Sequence, residues 1–108
     1  MRKLNLTDYQ VTVKAKSADN KIIDVSGPYN VKDSILNLLF IRELQLSGAE
    51  LVKQNVLAIK IENCKDEVII LEDEEYNRIK RAFDTFKGFG RNDVELVTRV
   101  NEAEEEKI

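Results

Sequence analysis

A switch of hydrophobic period near Pro28 constrains this chain more than any other feature. Before it, Tyr9, Val11, Val13 and Ala15 alternate with Gln10, Thr12, Lys14 and Lys16, a period of two that puts the apolar side chains on one face of a strand and leaves the other wet. Ser17-Ala18-Asp19-Asn20 carries turn chemistry, and Lys21-Ile22-Ile23-Asp24-Val25 resumes an extended pattern, so residues 8–26 are predicted to form a β-hairpin. Pro28 cannot donate to a ladder and biases Gly27 away from helix, which predicts a break over Ser26–Asn30. After it, Val31, Ile35, Leu38 and Leu39 recur at helical spacing, with Leu36, Phe40 and Ile41 widening the stripe almost all round. A strand pair followed by helices implies an α+β fold.

Leu44-Gln45-Leu46 interrupts that helix. Ser47-Gly48-Ala49-Glu50 has the form of a capping box, and Leu46 and Leu51 are spaced for a hydrophobic staple, so a second helix is expected from Gly48. It would carry Leu51, Val52, Val56, Ala58 and Ile59, reaching Ile61 unless Val56–Ile61, which also fits a strand, ends it early. Val68-Ile69-Ile70-Leu71, between Asp66-Glu67 and Glu72-Asp73, reads as a short strand with both faces covered. Asp73 is the expected N-cap of a third helix, with Tyr76, Ile79, Ala82, Phe83 and Phe86 as its apolar stripe and Gly88 closing it. Asn92-Asp93-Val94-Glu95 offers another cap. Beyond it, Val94, Val97 and Val100 fit a helix, whereas Val94, Leu96, Thr98 and Val100 fit a strand. Residues 101–108 are polar and expected to fray. The expected order is ββααβα, the last segment helix or strand: a hairpin and a third strand beside it form a small sheet packed on three to four helices, within a single domain of residues 1–108.

Charge and residue chemistry narrow the function classes. A net charge of −3 gives no bulk attraction to nucleic acid or anionic lipid. The absence of histidine removes the commonest general base and transition-metal ligand. The single Cys64 excludes an intrachain disulfide and, with no apolar leader and no run near the ~18 residues of a bilayer span, suggests a cytoplasmic protein. No catalytic, cofactor-binding or metal-ligating set is expected. Glu72-Asp73-Glu74-Glu75 reads as a helix start, because four consecutive acids point in different directions and lack the alternation and glycine of a calcium loop.

Two surfaces remain as candidates. Arg78, Lys80, Arg81, Lys87 and Arg91 make the third helix and its exit the most basic region, with Arg78, Arg81, Lys87 and Arg91 a possible contact for an anion or nucleic acid beside the plainer reading as a solvated, salt-bridged face. Ile35, Leu38, Leu39 and Phe40, in the apolar excess of residues 34–46, are candidates for an interface, as is Phe89 between two glycines; the same excess fits a central core helix. The leading expectation is a non-enzymatic interaction or assembly subunit that self-associates or binds a protein partner. A nucleic-acid or nucleotide-binding module and a small carboxylate-dependent enzyme are the alternatives. In size and acidic character the chain is similar to small accessory proteins of phages and other mobile elements.

Overall fold

The alternating residues of the N-terminal half form the strands their period implies, and the helical repeats form helices. A computed structural model describes residues 1–105. The strands are β1 (Arg2–Asn5), β2 (Tyr9–Lys16), β3 (Ile22–Tyr29), β4 (Val68–Leu71) and β5 (Glu104–Glu105); the helices are α1 (Val31–Leu38), α2 (Gly48–Asn63), α3 (Asp73–Thr85) and α4 (Val94–Asn101). Short 3-10 turns occupy Arg42–Leu44 and Arg91–Asp93. The class is α+β, as expected, with the strands divided between two antiparallel sheets.

The division corrects the expected strand order. β4 does not join the hairpin; it pairs with β1, from Arg2↔Leu71 to Asn5↔Val68, and β5 closes the other edge of β1 to give the order β4-β1-β5. β1 escapes a reading by pattern because only Leu4 and Leu6 alternate there, among Arg2, Lys3 and Asn5. Leu4 and Ile69 are cross-strand neighbours, and both are buried beneath the helices. Residues 102–105, expected as a frayed end, hold buried Ala103 and the β5 pairing; the rest of that tail, 106–108, lies outside the described residues.

The hairpin is longer than expected. Its register runs from Lys16↔Ile22 to Tyr9↔Tyr29 and passes through Gln10↔Pro28. Pro28 is accommodated because, among the described residues, β3 has no strand on its far side, so its missing N–H costs no ladder bond there. At the tip, Asn20 takes φ 61° and its N–H donates to Ser17 O at 3.0 Å. Asparagine tolerates this left-handed conformation better than most residues.

Helix ends follow local chemistry in part. Ser47 Oγ accepts from Glu50 N–H at 3.2 Å and starts α2, which continues through Val56–Ile61 to Asn63. α3 is capped by Glu72, whose N–H donates to Glu75 Oε1 at 2.7 Å, so Asp73 is its first residue and not its cap. α3 ends at Thr85, before Gly88. Gly88 answers a different need: a Cβ there would lie 2.6 Å from the Phe86 ring. That ring packs edge-on to Phe89, 4.9 Å between centroids, and Phe89 stacks on Phe83, 5.6 Å away. Residues 94–101 are helical, with Leu96 and Val100 at i, i+4 in the core.

Candidate functional site

The structure places the expected interface of residues 34–46 mostly in the core, a correction to the sequence reading. Ile35, Leu38 and Leu39 are buried in the core, with Leu36 half-buried against it; Phe40 alone of the expected set is exposed. The physical reason is that α1 ends at Leu38, so Val31, Ile35 and Leu38 fall on one face packed against α2 and α3, while Asp33 and Asn37 keep the opposite face in solvent. Phe89 is partly buried against Phe83 and Phe86.

The expected basic region does not converge. Arg78, only 14 % exposed at its side chain, bonds to Glu50 at 2.7 Å, to Glu74 at 3.2 Å and to Gln54 Oε1 at 3.1 Å. Burial works against its charge, and the bonds from Glu50 and Glu74 outweigh this and raise its pKa; the same hydrogen bond lowers the pKa of Glu50. Gln54, the one buried polar residue of the described core, passes the contact on by donating to Leu39 O at 2.9 Å. Arg81 caps Leu44 O at 3.0 Å, and Lys87 reaches Asp84 O at 3.4 Å. Arg78 and Arg81 therefore bind the ends of neighbouring segments. Arg91 is exposed and lines a separate groove.

That groove, about 560 Å³, runs between the base of β2 (Tyr9–Thr12) and the Arg91–Glu95 segment. Beside it the hairpin is fastened to the body. Tyr9 and Tyr29 face each other across the ladder and stack, 4.7 Å between centroids and 10° between planes. Tyr29 Oη donates to Asp93 Oδ1, while Asp93 Oδ2 accepts from Gly90 N–H at 2.7 Å. Tyr9 Oη donates to Asn92 O at 2.8 Å and accepts from Leu96 N–H at 3.3 Å. Arg99 lies over the Tyr9 ring, 5.1 Å from its centroid, and holds Thr7 O at 2.6 Å. Burial first and the Asp93 bond second push the Tyr29 hydroxyl up to about 12; burial also raises Tyr9. The cluster is a mount for the hairpin. The sequence held a signal for it in the tyrosines that end each strand.

Above the mount the hairpin is bare. Val11, Val13 and Ala15 face Gly27, Val25 and Ile23 across the ladder, so all six lie on one side of the ribbon. Val13, Ile23 and Val25 on that side are each more than two-fifths exposed. The elongated molecule, 53 × 32 × 23 Å, reflects this projection.

A second bare surface lies on α2. Its inner side buries Gln54, Leu57, Ala58 and Ile61. Opposite, Leu51, Val52, Val56 and Ile59 form a stripe with Asn55 at its centre, and Val52 and Val56 are 64 % and 62 % exposed. Flanking charges are tied inward, Lys53 to Glu74 at 4.0 Å and Lys60 to Glu75 at 2.7 Å. No group of three or more His, Cys, Asp or Glu side chains that could hold a metal occurs among the described residues, and no helix among them is long and apolar enough to cross a membrane. Comparison of the chain with known protein families, curated proteins and solved structures finds no significant match.

Proposed function

We propose that this chain is a cytoplasmic, non-enzymatic assembly subunit that associates with further copies of itself. One observation carries the reading: α2 is apolar on both sides, and only one of them is covered by its own chain. A helix that is apolar all round belongs inside a protein, and an exposed apolar patch with its neighbouring charges already paired is the ordinary mark of an interface. The contact surface is thus the outer face of α2, in place of the residue 34–46 segment. Two of the four candidate basic residues, Arg78 and Arg81, are engaged within the chain, which weakens the nucleic-acid alternative.

Light scattering coupled to chromatography tests it. The chain of 12.4 kDa is expected to run at twice that mass or more, and Val52→Glu with Val56→Glu is expected to return it to one chain with unchanged helical circular dichroism. A single-chain mass at high concentration for the unaltered protein would overturn the proposal.

A further inference from the structure

From the two bare surfaces taken together, and resting on the self-association just proposed, we infer that the partner of each α2 stripe is the hairpin of a second copy: the chains exchange arms, each ribbon lying on the other's helix.

Four observations carry this. The hairpin has an uncovered apolar face and α2 an uncovered apolar stripe, and a sheet face and a helix stripe are the two surfaces that a layered fold joins. Their lengths agree: Val11 to Ala15 spans four strand steps, about 13 Å, and Leu51 to Ile59 spans eight helical steps, about 12 Å. Their chemistry agrees as well, because neither strip contains a charge. The ribbon presents Val11, Val13, Ala15, Ile23 and Val25, and the helix presents four aliphatic residues around Asn55, so the contact desolvates no ion. Finally, a chain cannot satisfy itself. The bonds of Tyr9, Tyr29 and Arg99 hold the base of its hairpin against α4 and the Arg91–Asp93 turn, and both faces stay exposed.

A second copy is the occupant that supplies both missing halves at once. Reciprocal exchange is also a closed two-fold arrangement, which limits the assembly to two chains instead of a fibre. It uses both strips of each chain, five ribbon and four helix side chains, whereas pairing α2 with α2 would bury only the four of the helix and would leave the ribbon bare.

Disulfide trapping distinguishes the arrangements, in a Cys64→Ser background that removes the native thiol. Chains carrying Val25→Cys are mixed with chains carrying Val56→Cys before concentration and then oxidised. The mixture is expected to give a two-chain product at least about tenfold faster than either variant alone, since docking raises the effective thiol concentration. Asn55→Cys alone, which reports α2 against α2, is expected to remain uncrosslinked. Val13→Thr with Val25→Thr, which keeps the ribbon's strand propensity, is expected to weaken association at least about tenfold with unchanged helical circular dichroism. Rapid self-linking of Asn55→Cys, or a two-chain mass without linking in the mixture, would overturn the arm exchange and leave self-association standing. A single-chain mass for the unaltered protein would remove both.

Discussion

α1 and α2 look alike as sequence and differ in the fold. Each lies in a stretch rich in apolar residues, yet α1 buries its apolar face, Val31, Ile35 and Leu38, and exposes Asp33 and Asn37, while α2 has apolar residues on two sides and buries one. The density of apolar residues, highest in the 34–46 segment, pointed to the wrong helix as the surface. The difference lies in position: α1 packs on both α2 and α3, whereas α2 lies at the outside with its core side held by Leu57, Ala58 and Ile61. An apolar helix face is evidence of burial somewhere, and the neighbours decide whether the burying partner is the same chain.

This contrast can be broken most sharply by truncation. Leu39→Ala, in the fully buried position after α1, is expected to cost about 2–5 kcal/mol of stability, measured by denaturant unfolding in Cys64→Ser at a concentration where the protein is a single chain. A cost under about 1 kcal/mol would show that α1 is not the core helix described here. Gln54→Ala removes the donor to Leu39 O and the acceptor for Arg78, so about 1–3 kcal/mol is expected from the groups left without partners.

Gly88→Ala puts a Cβ 2.6 Å from the Phe86 ring, which must move aside, and should cost about 1 kcal/mol, less than a core truncation because a ring can shift where backbone cannot. On the mount, Tyr29→Phe should cost about 1 kcal/mol below pH 10. The sign with pH follows from the raised value. A hydroxyl that keeps its proton to about 12 in the folded state, against 10.0 ordinarily, adds stability below pH 10 that is lost as pH rises from 10 toward 12. The parent should lose stability more steeply than Tyr29→Phe across that window; equal slopes would place the cause elsewhere. The smallest effect is expected on the outer side of α2, where Val56→Ala should change single-chain stability by no more than about 0.5 kcal/mol while lowering the associated mass. A large loss of single-chain stability there would mean that the stripe already has a partner within the chain.

Much of the fold was legible because the relevant signals are local. The alternation from Tyr9 to Lys16, the Ser47 cap and the stripe Tyr76-Ile79-Ala82-Phe83 each act within one or two turns of backbone, so their residues carry their own instructions. Asp73 was displaced as a cap by Glu72, whose N–H is taken by the Glu75 carboxylate and whose carbonyl accepts the first helical bond, from Tyr76 N–H at 2.9 Å. Pro28 was read as a strand breaker, and it breaks only a strand that needs two neighbours.

The candidate surfaces were harder to read. Arg78 and Arg81 look alike in any basic stretch until Glu50, Gln54 and Leu44 O, from distant segments, come within reach. β1 illustrates the same limit: Leu4 and Leu6 are too few to declare a strand, and their pairing with β4 requires residues more than sixty positions away.

By itself the sequence determined the hairpin, β4 and the first three helices, because capping, periodicity and turn chemistry are settled by neighbours along the chain. Only the tertiary structure decided which β-strand joined β1, which basic residues were consumed inside the fold, and which of two apolar helices kept a bare face. Those outcomes depend on which distant surfaces meet, and burial is a property of the pair that meets and never of one segment alone.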